Sequence, residues 1–229
     1  MLEELKEQVC RANLELSESG LVILSWGNVS GIDRNKGIFA IKPSGVDYAK
    51  LRPEDIVLVR LDGEKVEGDM KPSSDTPTHL ELYRQWGGIG GVCHTHSPCA
   101  TAYAQAETEL PCLGTTHADH FYGTVPVTRK ISKEEIENDY ELNTGKVICE
   151  RFKGIEPETI PAVFCAGHGP FTWGKNAAES VKNGIVLEMA CKMGLDTMSL
   201  SGKMQAISQT LLDKHYLRKH GKDAYYGQN

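Results

Sequence analysis

Gly90-Gly91-Val92-Cys93-His94-Thr95-His96-Ser97-Pro98 reads as a short buried strand that ends in two histidines and runs straight into a helix. Residues two apart on a strand share a face. His94 and His96 therefore present two imidazoles side by side with Val92, while Cys93 and Thr95 point the other way. Paired imidazoles suit a zinc-type metal, which takes nitrogen ligands in tetrahedral geometry and needs more than two of them. His168, in Ala166-Gly167-His168-Gly169-Pro170 after another apolar run, is the third candidate. The pair alone fits an ordinary polar strand end equally well; the glycine-flanked third histidine favours a metal.

A sheet built around that strand must be covered by helices, and the flanking patterns supply them. Leu2, Leu5, Val9, Ala12 and Leu16 form one apolar stripe, predicting a helix over 2–19 that Gly20 ends. Strands are expected at 21–25, 37–42 and 55–61, with Asp62-Gly63 turning a hairpin back through 65–67. Thr76 with Pro77, and Ser97 with Pro98, open helices by the same device, a cap followed by proline in the first turn. Further helices are expected over 132–140, 144–152, from Asn176-Ala177-Ala178-Glu179 onward, and over 203–220. Strands are expected at 160–166 and 171–173. Hairpins mixed with helices do not follow a doubly wound βαβ rhythm, so a mixed sheet covered by helices fits better.

Composition narrows the function. At 229 residues the chain is most simply one domain, with 40% hydrophobic and 24% charged residues. A net charge of −6 argues against general nucleic-acid binding, and no apolar run is long enough to span a bilayer. The acidic start Met1-Leu2-Glu3-Glu4 lacks a signal-peptide pattern, and seven scattered cysteines suggest reduced thiols, so a cytoplasmic location is expected. Cys93 and Cys165 read as core residues despite their neighbours.

Three small polar turns could hold an anion. They are Gly27-Asn28, Ser44-Gly45 after Lys42, and Ser73-Ser74 at a helix start, where free N–H groups favour negative charge. Each is also ordinary turn chemistry. Asp75 reads either as a helix-start carboxylate or as a metal ligand or base. Asp119, between His117 and His120, reads as a surface acid by default, and His215 as a packed helix histidine. Tyr225 and Tyr226 are packing aromatics or a contact for a neighbouring subunit.

Taken in order, several motifs resemble the class II aldolase superfamily. They are Ser25-Trp26-Gly27-Asn28-Val29-Ser30, Lys42-Pro43-Ser44-Gly45, Lys71-Pro72-Ser73-Ser74-Asp75-Thr76, His94-Thr95-His96 and Gly167-His168-Gly169. Thr115-Thr116-His117-Ala118-Asp119, Asp213 to His220 and Tyr225-Tyr226-Gly227-Gln228 are similar to its pentulose-phosphate 4-epimerase branch. The resemblance spans essentially the whole chain. It implies a three-layer α/β/α fold with a central mixed, mostly antiparallel sheet. It implies a catalytic Zn2+ on His94, His96 and His168 with Asp75 in or near the coordination shell; Mn2+ or Co2+ would also suit these ligands.

By the same resemblance, Gly27, Asn28, Lys42, Ser44, Gly45, Ser73 and Ser74 line the site of a small sugar phosphate, with the serines on the phosphate side. Asp119 and Tyr226 serve as acid/base groups and His215 supports them. A homotetramer is implied, with active sites between subunits and the C-terminal tyrosine supplied by the neighbour. The implied reaction breaks and re-forms a C3–C4 bond, because C4 bears no acidic C–H next to a carbonyl.

Two positions qualify the resemblance. His120 stands where an aromatic is expected, and Asp75 where the fuculose-phosphate aldolase branch has a longer glutamate. An aldolase that releases its fragments is the nearest rival. A non-catalytic zinc-binding assembly protein is the rival from another class.

Overall fold

The computed structural model describes residues 2–225. One seven-stranded sheet runs through it, built from β1 (Asn28–Asp33), β2 (Ile38–Ile41), β3 (Val57–Arg60), β4 (Lys65–Glu67), β5 (Gly91–His94), β6 (Ala162–Phe164) and β7 (Pro170–Gly174). The strand order is β4-β3-β2-β1-β5-β7-β6. Every pairing between these strands is antiparallel. The parallel component of the expected mixed sheet reduces to one isolated bridge, Val127 to Phe164.

Among the described residues the eight α-helices are α1 (Leu2–Glu18), α2 (Thr76–Gln85), α3 (Pro98–Ala106), α4 (Thr115–Ala118), α5 (Lys133–Glu137), α6 (Tyr140–Arg151), α7 (Ala177–Ser201) and α8 (Gln209–His220). Strand alternation divides the core between the two faces of the sheet. Val29, Ala40, Leu58 and Cys93 pack with Val9, Ala12 and Leu16 of α1 and Val181 of α7. Their neighbours Phe39, Ile41, Val57, Val59 and Val92 pack with Leu80 and Tyr83 of α2 and Ile148 of α6. Each fully buried valine, leucine, isoleucine or phenylalanine among them stabilises the fold by about 1.5–3 kcal/mol relative to exposure. The result is the α/β/α layering expected from sequence.

The site end of the sheet is fixed by register. Asn28 pairs with His94 across β1 and β5, and His94 pairs with Phe171 across β5 and β7. Asn13 of α1 braces the start of β1: its side-chain amide donates to Val29 O at 3.0 Å and accepts from Val29 N at 2.9 Å.

Four local expectations are corrected. Residues 21–25 are not a strand; Leu24 sits at φ 58, and extended pairing begins only at Asn28. Helix α2 is capped at Asp75, one residue before the expected Thr76, whose hydroxyl instead donates to Ser73 O at 2.6 Å. Asp139 adopts a left-handed conformation, so Tyr140 opens α6 instead of closing the preceding helix. Helix α8 begins at Gln209, after a Ser208 cap, not at 203. Among the described residues no helix is long and apolar enough to cross a membrane.

Candidate active site

His94, His96 and His168 converge at the site end of the sheet, with one candidate ligand atom from each lying within 4.8 Å of the others. His94 Nδ1 faces Pro170 O at 2.9 Å. A carbonyl only accepts, so Nδ1 carries the proton and Nε2 presents a lone pair. That Nε2 lies 3.1 Å from His96 Nε2. Phe171 stacks on the His94 ring, with centroids 4.1 Å apart. Burial, then His94 and His96, push His168 down to about 3, and burial with His94 lowers His96. Two neutral imidazoles with available lone pairs, alongside His94, make a donor set that fits a divalent metal.

Backbone close approach builds this wall. Gly27 has φ +75, and a Cβ there would lie 2.7 Å from His94 O. A Cβ on Gly169 would lie 2.8 Å from Thr95 O. Glycine is required at both positions, the first by conformation as well as space.

Beside the histidines lies a cavity of about 500 Å³, lined by Ser25, Trp26, Gly27, Asn28, Lys42, Pro43, Ser44, Gly45, Ser73, Ser74, Asp75, His94, His96, Tyr140, Glu141 and His168. The two Lys-Pro-Ser loops reach it together because they are stitched to each other. Ser44 N donates to Lys71 O and Ser73 N to Lys42 O, each at 3.0 Å, around a Pro43–Pro72 bridge. Lys42 is 1% exposed, and its ammonium makes long 3.5 Å contacts to Ser25 O and Pro43 O. The Tyr48 ring lies 4.6 Å from it, and burial lowers its pKa to about 8. A buried cation so weakly partnered suits an anion in the cavity.

Asp75 is tied to Asn28, whose Nδ2 donates to Asp75 Oδ2 at 2.6 Å. Burial works to raise Asp75, but His94, His79 and the Asn28 amide outweigh it and hold the carboxyl below its usual range. Asn28 Oδ1 is a buried acceptor without a partner among the described residues, a second polar group that a ligand could satisfy.

Asp119 and His215 do not line this cavity. Asp119 caps α4 and is gripped by α8. Arg218 Nη2 donates to both its oxygens at 3.0 and 2.8 Å, His215 Nδ1 lies 3.1 Å away and Lys219 Nζ 3.3 Å. Burial opposes ionisation, but Arg218, His215 and Lys219 hold the carboxyl below its usual range. Tyr226 lies outside the described residues. The sequence reading missed Tyr140, Glu141, Ser25, Trp26 and Pro43 as cavity residues. Ser25 and Trp26 directly precede Gly27-Asn28, and that adjacency was the available signal.

With this geometry in view, the comparisons with known proteins assign the chain. Residues 7–195 match the class II aldolase and adducin N-terminal domain, and the protein belongs to that family. Within the family, its fold is similar to that of an L-fuculose 1-phosphate aldolase with 24% identity and a TM-score of 0.79, covering 93% of this chain and 94% of that one. It is also similar to the L-fuculose-1-phosphate aldolase from Thermus thermophilus (25% identity, TM-score 0.69, 89% and 100% covered). A third similar structure is YgbL from Klebsiella pneumoniae, described as a putative aldolase/epimerase/decarboxylase (22% identity, TM-score 0.74, 92% and 97% covered).

Proposed function

We propose that this protein is a metal-dependent L-ribulose-5-phosphate 4-epimerase, converting L-ribulose 5-phosphate to D-xylulose 5-phosphate by breaking and re-forming the C3–C4 bond. The observation that carries the reading is a single cavity with three imidazoles at one wall, a weakly partnered buried lysine and two serine turns at another, and a short Asp75 restrained by Asn28 between them. Held by His94, His96 and His168, a divalent metal such as Zn2+ would supply positive charge beside the carbonyl and hydroxyl oxygens of the cleaving ketose.

The chain's own residues would do the rest. Lys42, Ser44, Gly45, Ser73 and Ser74 hold the phosphate, so that the aldehyde fragment turns without leaving. Gly27 and Asn28 line the reacting end, and the orphan Asn28 Oδ1 accepts a substrate hydroxyl. Two acid/base groups, Asp119 and Tyr226, serve the two faces of the aldehyde. Asp119 does not line the cavity of its own chain, so this role requires it to reach a neighbouring subunit's cavity, as proposed for Tyr226. His215 and Arg218 keep it ionised and aimed. Helix α7 exposes Ile185, Met189 and Met193 at four-residue spacing, an apolar face that assembly into a homotetramer would cover.

Incubation with L-ribulose 5-phosphate tests the reading. Coupled detection of D-xylulose 5-phosphate supports it, whereas free glycolaldehyde phosphate without the epimer overturns it. The second reading, a class II aldolase of the fuculose-phosphate type, is supported by the fold similarity to two such enzymes. The release of free fragments from the sugar phosphate would favour it.

A further inference from the structure

The three imidazoles are held unequally. His94 is fixed by a backbone carbonyl and a stacked ring. His96 has the edge of Trp26 at 6.3 Å and its contact with His94. His168 stands on a tight turn: Gly167 is at φ +70, and Cys165 N donates to Gly169 O at 2.9 Å. That turn fixes the His168 backbone but not its ring. The described residue that meets the ring by hydrogen bond is Tyr140, whose hydroxyl lies 3.3 Å from His168 Nδ1.

We infer that Tyr140 is a positioning residue for the metal site, accepting the Nδ1 proton of His168 and so presenting its Nε2 to the metal. The inference rests on the metal-site reading above and adds to it a side chain from the start of α6. Tyr140 is itself placed with care. It is the first residue of α6, directly after Asp139 at φ 57 and ψ 52, a conformation that a non-glycine residue rarely adopts. Asn143 braces that corner, its Nδ2 donating to Glu135 O at 3.0 Å and to Asn138 O at 2.5 Å. Thr78 of α2 ties down the next residue through Glu141 O at 2.5 Å. A left-handed turn braced from two sides delivers one phenol to the ring that lacks a backbone partner. Such outer hydrogen bonds set the tautomer and direction of a ligating histidine.

The test is metal affinity, not turnover. Purified wild-type protein, Tyr140→Phe and His168→Asn are stripped of metal and titrated with Co2+ against a chelator, with the visible Co2+ spectrum and the unfolding temperature of the metal-free form recorded. The inference expects Tyr140→Phe to bind one Co2+ per chain about 10–100-fold more weakly than wild type. Its Co2+ bands should shift, while metal-free unfolding stays unchanged. Affinity and spectrum equal to wild type, with binding lost in His168→Asn, overturn this inference alone and leave the metal site standing. A weaker affinity matched by an equal loss of metal-free stability also overturns it, in favour of a packing role. Wild type that binds no Co2+, or His168→Asn that binds it as wild type does, overturns both readings.

Discussion

At the site end of the sheet, His94 is held by what cannot move: the Pro170 carbonyl, the Phe171 ring and two glycines whose Cβ atoms would strike backbone. At Asp119 the holding is done by His215, Arg218, Lys219 and His220, four long or titratable side chains on the single helix α8. The first region rests on backbone and packed rings, the kind of fixed support that a reacting geometry demands. The second is a clasp of long side chains from one helix, and among the described residues no backbone wall comparable to that at His94 lies behind it. On the proposed function the two meet only in the assembled protein, the rigid wall from one subunit and the clasp from another.

Removing a ligand from the wall should have the largest effect. His94→Asn is expected to bind less than one metal per chain and to lose turnover by a factor on the order of 10³ or more, the scale of several kcal/mol of charge stabilisation. Its circular dichroism should remain that of the wild type. Full turnover in this variant would mean that the metal site is not catalytic, and a chelator that unfolds the chain before it inhibits it would point to a structural metal.

Breaking the clasp comes next. Asp119→Asn is expected to lower turnover by roughly 10²-fold, the lower range for an acid/base group. Mixed assemblies of Asp119→Asn and His94→Asn chains should recover part of the activity, because some sites then draw an intact wall and an intact clasp from different subunits. No recovery would place both functions within one chain and erase the contrast. The clasp also has a pH signature. Because Arg218, His215 and Lys219 hold the Asp119 carboxyl below its usual value, its stabilising contribution is complete above the unfolded-state value near 4 and is lost as pH falls further. Amide protection factors along α8, taken relative to the intrinsic exchange rate at each pH, should fall there in wild type and show no such step in Asp119→Asn.

Gly27→Ala probes the wall through its backbone. The new Cβ meets His94 O at 2.7 Å in a left-handed conformation, so a loss of about 1–3 kcal/mol in unfolding free energy is expected. Denaturant titration measures it. Metal affinity should fall with stability, since the strand that moves carries His94. Stability within error of wild type would mean that the wall is softer than its contacts suggest.

The two regions also differ in how far the sequence revealed them. The histidine pair was legible because strand parity is strict and brings Val92 and His94 to one face, whereas Asn28, read as part of a turn, is set opposite His94 by an antiparallel register that the sequence did not display. The patterns gave a sheet covered by helices, and the three-layer arrangement came from the resemblance to the class II aldolase superfamily. Tyr140 was not read, because its place depends on Asp139 turning left-handed; the Asn138-Asp139 pair, residues that tolerate that conformation, was the available signal within an otherwise helical pattern. The false strand at 21–25 has the same origin, an apolar run that Leu24 breaks by a positive φ. Asp119 could be read as a candidate but not located, since a carboxylate gripped by α8 makes contacts about a hundred residues away in sequence.

The smallest expected effect concerns His120, the residue that stands in place of an aromatic. Its half-buried ring is pushed down to about 4, first by burial and then by Lys219, Lys182 and His220, with Asp119 pulling the other way. An unfolded histidine titrates near 6.5, so between roughly pH 6.5 and 4 the unfolded chain binds a proton that the folded chain refuses. Stability is therefore lost as pH falls through that window and levels off below it. His79, His117 and His168 are depressed in the same direction and add to the slope. His120→Phe should thus retain a slope but a shallower one. The difference from wild type should be about 1 kcal/mol across the window, after discounting for solvent at a half-exposed ring. Urea denaturation at a series of pH values measures it. Parallel curves for the two proteins would mean that neither burial nor the cations of α7 and α8 depress residue 120, so that the clasp closes on the Asp119 carboxylate without disturbing its neighbour.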